Sequence, residues 1–152
     1  MKKLALTLAA LFAFSTMAFA MDNVNLDGKL DSGKLKNAKK QDKSLIAEVG
    51  DGVTFQVDSK SHKIQSVRYT KRGAKYKAIS IGDEWNFRRA TGISDFSYNR
   101  GGNSYHFFTE KDGSATVYET ENSRIIAITR IAKSYYETAK KYHNQKQLGI
   151  IK

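Results

Sequence analysis

Asp51-Gly52-Val53-Thr54-Phe55-Gln56-Val57-Asp58-Ser59-Lys60-Ser61-His62-Lys63-Ile64-Gln65-Ser66-Val67-Arg68-Tyr69 aligns without a gap on Asp112-Gly113-Ser114-Ala115-Thr116-Val117-Tyr118-Glu119-Thr120-Glu121-Asn122-Ser123-Arg124-Ile125-Ile126-Ala127-Ile128-Thr129-Arg130. The offset is 61 residues, the distance from Asp51 to Asp112. Identities are few, but the matched positions have the same physical job. Asp-Gly is a hairpin-turn signal, because glycine takes a positive φ at little cost. The polar runs around Ser59-Lys60-Ser61 and Glu121-Asn122-Ser123 read as second turns. Between the turns lie short runs rich in β-branched and aromatic residues, which read as strands. The later copy is the clearer, with strands expected over 104–109, 115–120 and 124–130; the earlier copy has counterparts over 44–49, 53–57 and 63–69.

Working outward, each meander is preceded by a stretch with helical features. Leu35, Ala38, Leu45, Ile46 and Val49 fit a helical stripe, and a short helix near residues 32–42 followed by a strand is expected. Before the second meander, Asp83 can cap a helix, Glu84 suits its positive end and Gly92 its C-terminal stop. Trp85 or Phe87, with Ala90, would then face the sheet and meet Val117 or Tyr118 and Ile126 or Ile128 in one core. A last helix over 134–147 has an apolar stripe of Ile131, Tyr135, Ala139 and Tyr142, with Lys140 and Lys141 facing water. The expected fold is therefore α+β: two tandem short-helix plus three-stranded antiparallel meander units and a C-terminal helix. The boundaries are 21–70 for the first unit, 71–78 for a basic linker, 79–131 for the second unit and 132–152 for the C-terminal amphipathic helix and tail.

Residues 1–20 read as an address. Met1-Lys2-Lys3 is a positive start, Leu4 to Phe14 is apolar apart from Thr7, and Ala18-Phe19-Ala20 is a small-residue cleavage site. This is the pattern of a secretory signal peptide, too short to span a bilayer. Cleavage after Ala20 would leave a chain of 132 residues starting at Met21, in the periplasm or outside the cell. No Cys follows the cleavage site, so no lipid anchor is expected there, and no second apolar run has the length of a membrane span. With no Cys in the 152 residues there is no disulfide, thiol nucleophile or thiolate-held metal. Removing Lys2 and Lys3 leaves 24 basic and 15 acidic residues, a net charge of +9.

Ile79-Ser80-Ile81-Gly82-Asp83, a short helix, Gly92 and then a Tyr-rich meander resembles the β-lactamase inhibitor protein-like modules and the SmpA/OmlA outer-membrane lipoprotein modules. In those an Ile-x-x-Gly turn opens a helix that packs on a small antiparallel sheet. The resemblance covers roughly residues 79–130, and more weakly 24–69. Two departures are the missing lipoprotein Cys and the missing Pro after the helix. Tandem copies imply the inhibitor-like arrangement, in which a concave sheet grips a protein partner; no binding residue carries over individually.

Chemistry-bearing motifs are scarce. His62 sits in an expected turn beside Lys60 and Lys63, His143 on the last helix beside basic residues, and His106 in a strand between Tyr105 and Phe107. No H-E-x-x-H, G-x-S-x-G or P-loop is present, so no enzyme activity, metal or cofactor is expected. Charge says more. Residues 68–77 hold Arg68, Lys71, Arg72, Lys75 and Lys77 with Tyr69 and Tyr76, and no acid. Arg88, Arg89 and Arg100 extend the same sign. Interleaved cations and aromatic rings suit an anionic partner, whose encounter the net charge would speed. The expected function is that of a secreted or periplasmic binding protein that inhibits or escorts an acidic protein. The alternatives are a binder of anionic envelope polymer (lipopolysaccharide, acidic glycan or, less favoured, nucleic acid) and a small hydrolase using His106.

Overall fold

Hairpin turns set the architecture. The structure, a computed structural model, describes Met21 and residues 24–147, so the expected signal peptide, residues 1–20, lies outside the described residues. Its strands are β1 (Lys39–Gln41), β2 (Ser44–Gly50), β3 (Val53–Asp58), β4 (Ile64–Tyr69), β5 (Lys75–Tyr76), β6 (Ile79–Ser80), β7 (Ile93–Arg100), β8 (Asn103–Thr109), β9 (Ala115–Glu121) and β10 (Arg124–Ile131). A helix, α1 (Lys133–Gln147), follows directly, and 3-10 turns occupy Ser32–Leu35 and Phe87–Arg89. Asp51-Gly52, Gly101-Gly102 and Asn122-Ser123 all take positive φ at both residues, the backbone of the tight turns that match strand twist.

Eight strands form one antiparallel sheet in the order β1-β2-β3-β4-β10-β9-β8-β7, and β5 pairs with β6 in a separate hairpin. The order is symmetric: each four-strand meander contributes its last strand to the centre. Where β4 meets β10, Tyr69 lies opposite Ile128 and Val67 opposite Arg130. Residues 61 apart therefore exchange places across the central Arg68–Thr129 pair, and the aligned stretches occupy matching positions about that point.

The expectation of two tandem short-helix plus three-stranded meander units is wrong. Both meanders have four strands and merge into one sheet, and neither is preceded by an α-helix. At 32–42 there is a 3-10 turn with no buried residue and no side-chain cap, then the short edge strand β1. The Lys39 and Lys40 pair makes β1 a charged edge, which discourages pairing with other chains. At 82–92 the would-be first helical turn uses its backbone elsewhere. Gly82 N–H donates to the Ile125 carbonyl, Trp85 N–H to that of Ser123, and Ile125 N–H to that of Asp83. The segment is thus an extended strap across the β9–β10 turn, and the Asp83 carboxylate accepts from Ser80 N–H at 3.0 Å instead of capping a helix. Only Phe87–Arg89 coils, with Asn86 accepting from Arg88 N–H.

The two sheet faces are covered differently. One buries Phe55, Val67, Tyr69, Tyr118 and Ile128 under Met21, Leu26, Leu30 and the β5–β6 hairpin, which contributes Tyr76, Ile79 and Ile81. The other buries Ala115, Val117 and Ile131 under α1 through Tyr136, with Phe107 and Tyr135 at the margin. Trp85 meets Tyr118 at 5.3 Å between ring centroids, as expected, but Val117 lies on the opposite face and Phe87 is 60% exposed. On α1 the stripe is shifted: Tyr136 is the buried residue and Ala139 is exposed. Lys140 is bound to the Asp95 carboxylate at 2.9 Å and does not simply face water. Asp95 also accepts from the Thr109 and Tyr136 hydroxyls, which anchors the helix to the β7 bulge.

Candidate functional site

The segment that the sequence marks as a basic linker is a hairpin seated on the sheet. Tyr76 and Ile79 sink into the core, and the alternation that buries Tyr76 turns Lys75 outward. Gly73 N–H donates to the Ile81 carbonyl and Ile81 N–H to that of Ala74, closing the hairpin base. Lys71 pairs with Asp51 at 3.3 Å, both exposed. The Arg72 side chain passes beneath Gly82, where a Cβ would lie 3.3 Å from it. The Phe87–Arg89 turn docks alongside: the Arg89 guanidinium donates to the Ala78 carbonyl and lies 3.4 Å from Asp83. Arg124 donates to the Gly82 carbonyl at 3.3 Å. Lys71, Arg72 and Lys75 thus lie on the hairpin, Arg89 and Arg124 bond to its end and its strap, and the 3-10 turn that docks through Arg89 also carries Arg88 and the exposed Phe87.

Of the other residues singled out from sequence, Arg68 sits in the centre of the sheet, 2.5 Å from Glu119, whose second oxygen accepts from Asn103 and Tyr105. Tyr69 and Tyr76 are interior, so neither is available for stacking. Arg100 ends β7, at the opposite end of that strand from Ile93, which shares a cleft with the hairpin's Lys77. Phe87 and Arg124 belong to the surface but were missed in sequence; nothing local marks them, because the strap across the β9–β10 turn brings them there.

Lys77 closes the inner end of the hairpin at φ +51°, donating to Glu110 at 2.9 Å and to Thr91 at 3.2 Å. Glu110 is buried and also accepts from the Tyr76, Thr91 and Thr116 hydroxyls. Burial alone would raise its pKa; the Lys77 ammonium and these donors outweigh that and hold the carboxyl below its ordinary value. Burial alone would likewise lower the Lys77 pKa, and its bond to Glu110 holds it above the ordinary value instead. This pair borders a cleft of about 760 Å³ that reaches Gly92, Ile93, Lys111 and Arg130.

His106 lies on β8 between an aromatic ring and two hydroxyls. Its ring stacks on Trp85 at 4.4 Å, and its nitrogens lie against hydroxyls, Ser97 at 3.0 Å and Thr120 at 3.4 Å. Burial pushes its pKa down. His143 stacks on Phe96. Among the described residues, no group of three or more histidine, aspartate and glutamate side chains is placed to hold a metal ion, and no helix is long and apolar enough to cross a membrane.

No protein-family model matches the chain, and no curated protein matches it. Among solved structures, an extracellular protein containing an SCP domain from Bacillus anthracis str. Ames is similar at 12% identity with a TM-score of 0.42. The match covers 65% of this chain, and the chain spans 39% of that protein. At that score the likeness fixes neither fold nor function.

Proposed function

We propose that the protein is an exported, non-enzymatic binding protein that recognises an acidic protein through the cationic surface around the β5–β6 hairpin. The observation that carries this reading is the seating of the hairpin. Because Tyr76, Ile79 and Ile81 are buried, the cations beside them project from a packed element and not from a tether. Less conformational entropy is then lost on binding than a flexible basic linker would lose. Phe87, 60% exposed on the 3-10 turn that also carries Arg88 and Arg89, offers an apolar anchor of the kind that carries energy in protein interfaces. An apolar anchor beside a cationic surface suits the core-and-rim build of a protein interface, and this is why a protein is preferred to a polymer here. The proposed export rests on the signal-like residues 1–20. His106 meets the Ser97 hydroxyl at 3.0 Å, but no carboxylate orients its ring among the described residues, and the hydrolase reading therefore stands behind binding.

Capture from envelope extract with the mature chain as bait provides the test. Lys71, Arg72 and Lys75 changed together to Gln should weaken capture of an acidic protein and flatten its salt dependence, since fewer counterions are exchanged. Phe87→Ser should weaken it with little change in salt slope. Undiminished capture by both variants contradicts the reading. Sensitivity to the charge variant alone, with anionic polymer in the bound fraction, shifts it to the polymer.

A further inference from the structure

Three charged residues are buried among those described: Glu110 at 8% exposure, Glu119 at 7% and Arg130 at 7%. The two carboxylates each have a cation in contact, Lys77 at 2.9 Å and Arg68 at 2.5 Å. Arg130 has no carboxylate within ion-pair distance among the described residues. Its guanidinium makes two long hydrogen bonds, to the Met21 carbonyl at 3.4 Å and the Ser114 hydroxyl at 3.3 Å. Its Nε–H is buried without a hydrogen-bond partner among the described residues. The Tyr76 ring lies against one face of the guanidinium at 4.5 Å. Asp112 is held off, because its carboxylate is bound to the Ser114 N–H and hydroxyl and reaches Arg130 only through that hydroxyl. A buried cation is costly unless an anion meets it, and the other two buried charges here obey that rule.

Arg130 also lines the 760 Å³ cleft described above, whose size falls in the range of small-molecule sites. The cleft is lined by Ile93, Gly92, Tyr76, Thr91 and Thr109 on its uncharged side and by Lys77, Glu110, Lys111, Asp112 and Arg130 on its charged side, three cations to two carboxylates. Its second buried charge, Glu110, is already neutralised by Lys77 and three hydroxyls. We infer that this cleft is a binding site for a monocarboxylate with an apolar body, the carboxylate completing the Arg130 guanidinium and the apolar part lying along Ile93 and Gly92. Both terminal nitrogens of this guanidinium carry only long hydrogen bonds, so each keeps donor capacity that a carboxylate at the cleft wall would use. The same chemistry is offered by a free acid and by the C-terminal residue of a peptide. This site is separate from the hairpin's outer cations and does not depend on them.

Calorimetric and amide-shift titrations of the mature chain decide the matter, with octanoate as the free acid, N-acetylleucine as the peptide terminus and octan-1-ol as the uncharged control. Saturable 1:1 binding of at least one acid is expected, with shifts at Gly92, Glu110 and Arg130, and the alcohol should bind at least about tenfold more weakly. The tighter acid names the source. Arg130→Gln should weaken acid binding by about tenfold or more. Because that change can also disturb the core, Ile93→Glu is the second variant: Ile93 is 74% exposed, so the fold should persist while a negative charge at the mouth repels the acid. The inference is overturned if neither acid saturates below about 10 mM, if the alcohol binds as well as the acids, or if Ile93→Glu leaves acid binding unchanged.

Discussion

Tyr118 and Phe87 both touch the Phe108 ring, at centroid distances of 5.7 Å, yet only Tyr118 is fully buried. Tyr118→Ala should cost about 3–5 kcal/mol, the usual range for emptying a core aromatic site, whereas Phe87→Ala should cost about 0.5 kcal/mol or less. Chemical denaturation of both variants checks the contrast. Acid response follows from individual groups as well. Burial places the His106 pKa below its ordinary value, and the folded-state pKa values of Asp95, Glu110 and Glu119 are also lowered. For the carboxyls, burial acts in the opposite direction, and donated hydrogen bonds with their paired cations overcome it. In every case the unfolded chain binds the proton more readily. The stability these groups contribute is complete above their ordinary pKa and declines as pH falls, first near about 6.5 for His106, then near about 4 for the carboxyls. The urea midpoint should therefore fall between pH 7 and pH 5, and fall again towards pH 3, with a smaller second step in Glu119→Gln.

At the scale of elements, turn chemistry was the most legible feature of the sequence. Asp51-Gly52 and Asn122-Ser123 mark hairpins because their residue types tolerate the left-handed backbone that tight turns require. The six strands expected around those turns correspond to β2, β3, β4, β8, β9 and β10. Of the three expected helices the last formed and the two before the meanders did not, the second of them for a reason no local pattern contains. Asp83, Glu84 and Gly92 have helix-terminus chemistry, but the backbone of 82–85 pairs with 123–125, more than thirty-five residues away. Gly92 serves a close approach instead: a Cβ there would sit 2.5 Å from the Thr109 carbonyl, at φ +92°. Gly73 has a similar φ of +84° with open space around it. Gly92→Ala should thus destabilise clearly more than Gly73→Ala, whose cost is backbone strain of about 1–3 kcal/mol. Equal melting temperatures for the two variants would show that the start of β7 does not press on β8. The cationic surface was half legible: residues 71–77 announce their charge, but only the hairpin's seating separates outward Lys75 from buried Tyr76 and pairs Lys77 inward.

The whole molecule is one sheet with unlike faces and a charge distribution that follows from its topology. Merging the meanders at β4 and β10 puts Arg68 and its partner Glu119 near the middle, where they neutralise each other. It leaves the hairpin cations on one side and the β1 lysines at an edge, where they guard against aggregation. The central claim is that recognition belongs to the first group and not to net charge spread over the surface. Amide chemical-shift mapping of the mature chain with a short glutamate-rich peptide as probe tests this most directly. Perturbations should concentrate at Arg72, Lys75, Phe87, Arg88 and Arg124 and disappear when Lys71, Arg72 and Lys75 are changed together to Gln. Equal perturbation of Lys34, Lys36, Lys39 and Lys40, or a map unchanged by the triple substitution, would contradict the account.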